Sequence, residues 1–418
     1  MTLVCGLDFG TSNSTIAHLD SGGVPHLLKL EAGRETIPSV IFFSFEDDRI
    51  HFGRQAVAEY VTGAEGRLMR SLKSVLGTAL IGDTTRVKAR SYGFVEILGI
   101  FIAELKKRAE AELWGTVESV VCGRPVHFVD DDPAADAAAQ SQLEGAVRAQ
   151  GFKHVDFQFE PIAAALDYER QVQSEKLALI VDLGGGTSDF SVVRVSPERA
   201  KSLDRGGDIL STAGVHIGGT DFDRLLSMSK VMPELGLGTR TRDGKRHLPV
   251  APYHDLSTWH RINRLYNAQT MRDLRGTMRE AEAPARVEMM MDLVEDRLGH
   301  RLVGAVEAAK IELSDVDETA FSFPVRDQSI ETVMTIHDLT AALEHSVQRI
   351  EATIGETLKR AGVTIGDIDS LILTGGSTQV PAIAGRLREM FPAADLVRTD
   401  VLGSVGLGLA MDAKRKFG

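Results

Sequence analysis

Cysteine is nearly absent from this chain: Cys5 and Cys122 are the only two in 418 residues. Two thiols cannot build a disulfide framework or a four-ligand zinc site. Both stand in short apolar runs that read as strands, which predicts buried thiols. Positive charge is also short, 47 Lys and Arg against 59 Asp and Glu, for a net charge of -12. That balance argues against a duplex nucleic-acid binder that depends on phosphate contacts. No apolar run approaches the ~18 residues of a membrane span. The first residues lack the basic stretch and cleavable apolar segment of a secretory signal. The expectation is a reduced, soluble, cytoplasmic protein with no nucleic-acid or membrane partner. Proline is scarce, 13 residues against 40 glycines, so tight turns within compact lobes are expected rather than a string of linkers. What is present is enough for a packed interior: 43% hydrophobic and 25% charged residues exclude wholesale disorder.

A weak internal duplication organises the chain. Leu3 to Thr15 and Leu179 to Ser191 each read as an apolar strand ending in an aspartate, a Gly-Thr turn, and a second strand, which is a β-hairpin pattern. Helical periodicity follows over 95–113, 134–150, 161–173, 286–313, 338–361 and 380–391. Residues 403–417 suggest a glycine-rich helix returning to the body. The Asp130-Asp131-Asp132 triplet before Pro133 reads as an N-terminal cap for the helix at 134–150. Methionines 289–291 suit a packed helix. The stretch 227–285 has poor periodicity, and its Arg240, Arg242, Lys245, Arg246 and His247 read as a solvated loop in a peripheral insertion.

Three glycine turns carry chemistry. An Asp-x-Gly-Thr turn exposes consecutive backbone N–H groups that no strand partner takes, and these form a concave anion site. In the first turn Asp8 would present a carboxylate to a metal, while Thr11 and Ser12 add hydroxyls beside Gly10. Taken alone, the same residues also describe a plain hairpin turn. The second turn, Asp182 to Asp189, strips side chains from a phosphate-sized opening with Gly184, Gly185 and Gly186, beside Thr187. Two carboxylates flank it. Like charges so close repel unless a cation lies between them, and Mg²⁺ bridging carboxylates to phosphate oxygens meets that need. The third turn, Thr374 to Thr378 with Gly375, Gly376 and Ser377, suits close approach of a nucleoside or its α-phosphate ahead of a helix N-terminus. Neither a Walker A sequence nor a convincing dinucleotide fingerprint is present. Glu160 precedes Pro161 at a strand–helix junction, where a carboxylate favouring the helix dipole is an equally good account.

These motifs, taken in order, resemble the ATPase domain of the seventy-kilodalton heat-shock chaperones. They are Asp8-Phe9-Gly10-Thr11, Thr36-Ile37-Pro38-Ser39-Val40, Lys73-Ser74-Val75-Leu76-Gly77, Glu160 to Leu166, Asp182 to Asp189, Gly218 to Asp223, and Gly375 to Pro381. The resemblance covers residues 4 to about 410 and is closest to the short bacterial YegD-type branch, on Gly123 to Phe128 and the irregular 227–300 segment. It implies an α/β, two-lobed, actin-like ATPase fold of duplicated mixed sheets, with nucleotide in the interlobe cleft. Lobe I would hold core segments 1–38 and 111–176, a peripheral subdomain 39–110 and the returning helix 401–418. Lobe II would hold core segments 177–226 and 313–400 with a peripheral subdomain 227–312. The resemblance further implies Mg-ATP or ADP as ligand. Gly10, Thr11 and Ser12 would meet the β- and γ-phosphates from one side and Gly184, Gly185, Gly186 and Thr187 from the other. Asp8 and Asp182 would hold hydrated Mg²⁺, with Glu160 on one of its waters. Lys73 would reach the γ-phosphate, and Asp189 would polarise the attacking water. Gly218, Gly219, Glu307, Lys310, Ser314, Gly375, Gly376 and Ser377 would line the nucleoside side. On local sequence, a surface salt-bridge lysine remains the lesser alternative for Lys73.

Departures from the pattern shape the expectation. The family places an arginine where Ile311 stands and another where Gln379 stands, and the pair sandwiches adenine. Losing both stacking partners weakens expected ATP binding by about one to three decades. A third family arginine, tied to the peptide-binding domain, aligns with Gln140. After the last helix no acidic-then-leucine linker or peptide-binding β-sandwich follows. The expected protein is a monomeric, slow ATPase of the chaperone superfamily working through an unidentified protein partner or client. The alternatives are an actin-like filament protein, a small-molecule kinase of the same fold, or a pseudo-ATPase that binds nucleotide without turnover.

Overall fold

Aliphatic runs that close on aspartate–glycine turns fold as hairpins, because the turn reverses the chain and brings the two arms side by side to pair. The computed structural model describes residues 3–129, 132–398 and 403–418. In the first sheet β1 (Leu3–Phe9) and β2 (Asn13–Leu19) are antiparallel, with Asp8 opposite Thr15. Next to β2 lies β3 (Pro25–Leu27), while β4 (Val117–Arg124) and β5 (His154–Phe159) add in parallel on the other side of β1. In the second sheet β6 (Lys176–Leu183), β7 (Ser188–Val195) and β8 (Ile209–Val215) form an antiparallel meander. There β9 (Ser370–Thr374) and β10 (Asp395–Arg398) add in parallel to β6. The orders β3-β2-β1-β4-β5 and β8-β7-β6-β9-β10 are the same path. The duplication visible in two short motifs therefore extends to whole sheets, apart from the two-residue strand Ile37–Pro38 that joins the first sheet on β2.

The chain divides into two compact units. One comprises Met1–Val215, Ala352–Thr378 and Met390–Gly418, and the other His216–Glu351 and Gln379–Glu389. Both principal sheets lie in the first. Three helices there bear on the site: α1 (Pro133–Arg148), α2 (Glu160–Glu169) and α3 (Ser404–Phe417). Asp132 caps α1, its Oδ1 accepting from Ala134 N at 3.1 Å and Ala135 N at 2.9 Å. Asp130 and Asp131 lie outside the described residues. A buried cluster joins Ile162, Ala163, Ala164 and Ala165 of α2, Leu409 and Ala413 of α3, Val121 of the first sheet, and Ile180, Val193 and Ile372 of the second. Close approach makes this possible: a Cβ on Gly408 would stand 1.9 Å from the Ala163 carbonyl oxygen. Cys5 and Cys122 are buried, and burial pushes both thiols up to about 12.

The second unit corrects two expectations. The segment read as a loop contains helices at Ala251–Leu256 and Ala268–Glu280. The latter buries Leu274 alone, so its apolar stripe is too narrow to stand out among its arginines. The single helix expected over 286–313 is two, Pro284–Glu295 and Gly299–Glu312. Arg297 between them takes a left-handed φ of 54°, and Gly299 N donates to the Tyr266 hydroxyl at 3.1 Å. No glycine or proline marks the break itself, so the pattern ran through it. Met290 is buried as expected of a packed helix.

Candidate functional site

The turn between β1 and β2 is held by its carbonyls. Ser39 donates from Oγ to the Gly10 carbonyl at 2.7 Å and from N to the Ser12 carbonyl at 2.9 Å. Ser14 Oγ shares a hydrogen bond of 2.9 Å with Ser39 Oγ. Among the described residues no acceptor takes the N–H groups of Thr11 or Ser12. The turn between β6 and β7 closes through Gly184 N to the Thr187 carbonyl at 2.9 Å, and the N–H groups of Gly186 and Thr187 likewise have no acceptor among the described residues. Polar N–H groups turned out of their ladders can donate to water or to an anion. The two turns adjoin, since a Cβ on Gly185 would lie 2.3 Å from Ser12 Oγ.

The third turn braces the second. Ser377 Oγ donates to the Gly184 carbonyl at 3.0 Å. Gly375 has φ +81°, and a Cβ there would stand 2.3 Å from the Leu183 carbonyl oxygen and 2.8 Å from Asp182 Oδ1. Only glycine satisfies both the left-handed backbone and that approach.

Charge gathers at the same strand ends. Asp182 and Asp189 are direct cross-strand partners. Lys73, on the short helical turn Leu72–Val75, donates to Glu160 Oε1 at 2.5 Å. Its side chain is 10% exposed and that of Glu160 16%, so Lys73 is not a surface lysine. Burial, then the Glu160 charge, lifts the Asp8 carboxyl from 3.8 to about 7, with Lys73 opposing. Asp182 is raised well above its ordinary value by burial, then by Asp189, Glu160 and Asp8, again against Lys73. Burial works against the Lys73 ammonium, but Glu160, Asp8 and Asp182 together hold its pKa above the ordinary value. A cavity of about 670 Å³ has Glu160, Asp182 and Asp189 in its wall together with Arg124, His127 and Arg360. Among the described residues no three acidic, histidine or cysteine side chains converge to cage a bare metal ion. Mutually repelling, part-buried carboxyls at these strand ends are a donor set that a hydrated divalent cation would fit.

Of the residues singled out from sequence, Asp8, Gly10, Thr11, Ser12, Lys73, Glu160, Asp182, Gly184, Gly185, Gly186, Thr187, Asp189, Gly375, Gly376 and Ser377 all fall in the first unit. Gly218, Gly219, Glu307, Lys310 and Ser314 fall in the second. There Lys310 is buried against Asp223, Nζ to Oδ1 2.7 Å, and donates to the Gly219 carbonyl at 3.3 Å. Glu307 is exposed and Ser314 partly buried. Ser39 holds the first turn and Arg124 lines the cavity, and sequence reasoning gave neither a role. Ser39 stood inside a quoted motif, the signal that could have found it.

The chain matches the family model described as Hsp70 protein over residues 4–232 and 281–414. It belongs to the Hsp70 family. Its fold class is the α/β, two-lobed, actin-like ATPase class expected of that family. The Hsp70 match omits residues 233–280, which include both helices of the segment misread as loop. The chain is 28% identical over 420 residues to the protein described as "Chaperone protein DnaK" of Thermosipho melanesiensis, covering 98% of this chain and 59% of that relative. It thus spans about three fifths of the length of that Hsp70 relative. No helix among the described residues is long and apolar enough to cross a membrane.

Proposed function

We propose that this Hsp70-family chain binds Mg-ATP and hydrolyses it slowly to ADP and phosphate. The observation that carries the reading is the pair of adjoining turns with unaccepted N–H groups beside the Lys73–Glu160 pair and two carboxyls whose pKa values are raised. Thr11, Ser12, Gly186 and Thr187 would donate to phosphate oxygens. Asp8 and Asp182 would hold the hydrated Mg²⁺, with Glu160 accepting from one of its waters. When bound, Mg²⁺ would supply neutralisation of the charge developing on the phosphates. Lys73 would exchange part of its contact with Glu160 for the γ-phosphate and orient the attacking water, and Asp189 would accept a hydrogen bond from that water. Gly375, Gly376 and Ser377 would receive the nucleoside or its α-phosphate.

The finer readings travel with this one: a position near the short YegD-type branch, lobes divided at about residue 176, a cytoplasmic monomer, and a protein partner or client. A second reading, a pseudo-ATPase, is favoured by Ile311, an isoleucine 58% exposed where the resemblance calls for a stacking arginine. Single-turnover hydrolysis of Mg-ATP by the pure protein, with calorimetric affinities for ATP, GTP and ADP, separates them. Turnover that collapses in Lys73→Ala and Asp182→Ala supports the ATPase. Nucleotide binding without turnover in the wild type removes the catalytic roles and leaves the pseudo-ATPase. Nucleotide-dependent sedimentation would reveal a filament former.

A further inference from the structure

Arg124, the last residue of β4, carries a guanidinium with more partners than any surface ion pair needs. It donates to Asp136 Oδ2 at 2.7 Å, to the Pro125 carbonyl at 3.0 Å and the Val126 carbonyl at 3.2 Å, and to Gln140 Oε1. It also stands 5.3 Å from the Phe128 ring centroid and 5.2 Å from that of Phe159. Its side chain is 13% exposed. Asp136 and Gln140 lie one turn apart on α1, and Asp136 also accepts from Phe128 N at 2.6 Å. Phe159 is the residue immediately before α2, whose first residue is Glu160. The neighbour of Arg124, Gly123, leaves room for that glutamate: a Cβ there would lie 3.3 Å from Glu160 Cγ. Arg124, Asp136, Phe159 and Glu160 share the wall of the 670 Å³ cavity.

We infer that Arg124 is a positioning residue. Its guanidinium clamps α1 to the Phe159 ring, so fixing the start of α2, the direction of Glu160 and the seat of Lys73. A planar fork that stacks and donates at once suits this task, and lysine does not replace it. Gln140 already touches the guanidinium. An arginine at 140 would pair with Asp136 at i,i+4 and deliver the same group from α1 instead of β4.

The test compares wild type, Arg124→Gln, and Arg124→Gln with Gln140→Arg. The first readout is the acylation rate of Lys73 in nucleotide-free protein, followed by mass spectrometry with the other lysines as controls for folding. Release of Glu160 should raise Lys73 labelling about three-fold or more in Arg124→Gln, and the double variant should return it to within a factor of about two. The second readout rests on the Mg-ATP reading: kcat should fall about ten-fold in Arg124→Gln with KM changed less than about three-fold, again restored in the double variant. Unchanged Lys73 labelling in Arg124→Gln, or a rise that Gln140→Arg leaves in place, overturns the inference. A wild type without ATPase activity would sink the Mg-ATP reading alone, because the labelling arm still decides the role of Arg124. Should Arg124→Gln not fold, Phe159→Leu removes the ring face while keeping apolar bulk, and must raise Lys73 labelling in the same way.

Discussion

Replacing Asp8 by asparagine should stabilise the nucleotide-free protein, and only above mildly acidic pH. The Asp8 carboxyl is raised from 3.8 to about 7, chiefly by burial and then by Glu160. A carboxyl whose pKa is higher folded than unfolded binds more protons in the native state between those two values, so native stability falls as pH rises through that window. Below about pH 4 the group is protonated in both states and costs nothing. Above pH 7 it is ionised in both, and the full cost applies. At about 1.4 kcal/mol per unit the shift corresponds to about 4 kcal/mol. Lys73 loses one of the carboxylates that support its own charge, which trims the expected gain to about 2–4 kcal/mol. For a unit of this size that is on the order of 5–10 °C in Tm. The assay is thermal unfolding of wild type and Asp8→Asn without nucleotide or divalent cation at pH 5 and pH 8. The variant should melt distinctly higher at pH 8, with most of that gain gone at pH 5. Equal melting at pH 8, or the same increment at both pH values, would refute the electrostatic account of the site.

Other perturbations test separate parts of the argument. Chelating divalent cations should reduce ATP affinity in calorimetry by at least about two decades, since a triphosphate would then face Asp8, Asp182 and Asp189 with Lys73 as the nearby cation; affinity indifferent to chelation would contradict the metal assignment. Gly375→Ala forces a Cβ onto the Leu183 carbonyl and a left-handed backbone, so nucleotide affinity should fall even where the protein still folds, while an unaffected affinity would separate the third turn from the site. Arg205 is fully buried, its Nη1 and Nη2 donating to both Glu169 oxygens at 2.9 and 2.6 Å and its Nε to Asp208. Arg205→Ala should destabilise by about 3–5 kcal/mol because it strands buried carboxylates, and a loss below about 1 kcal/mol in denaturant unfolding would show that they stay wet.

What sequence revealed was local. Each hairpin announces itself within thirteen residues, because an aspartate, a glycine turn and two apolar runs are neighbours in the chain. The capping of α1 by Asp132 and the burial of both cysteines are legible for the same reason. The pairing of Lys73 with Glu160 spans 87 positions, and nothing near Lys73 distinguishes it from a solvated lysine until strand order brings the two together. Ser39 acts through its hold on two carbonyls of a turn far earlier in the chain, a role that belongs to geometry rather than to the residue type. The helix Ala268–Glu280 was hidden by its own composition, with so little apolar surface that periodicity fell below notice. Arg297 interrupts the next helix with a left-handed turn that has no glycine or proline at the turn itself to signal it.

The repeated sheet path makes the two halves equivalent in topology, yet the charges at their equivalent positions are not. Asp8 faces Thr15 across its hairpin, whereas Asp182 faces Asp189. The first hairpin therefore offers one carboxylate beside a hydroxyl residue, and the second offers two carboxylates to the same region. Lys73 and Glu160 have no counterparts among the quoted motifs of the second half, and they enter from outside both hairpins, Lys73 from a helical turn and Glu160 from the start of α2. Four acidic groups gather around the Lys73 ammonium, and the raised pKa values of Asp8 and Asp182 register burial and then their mutual repulsion. A duplicated scaffold would by itself present a symmetrical pair of anion-binding turns. The charge placed on it is uneven, with the direct pair of carboxyls confined to the Asp182–Asp189 hairpin and the Lys73–Glu160 pair entering from outside both hairpins.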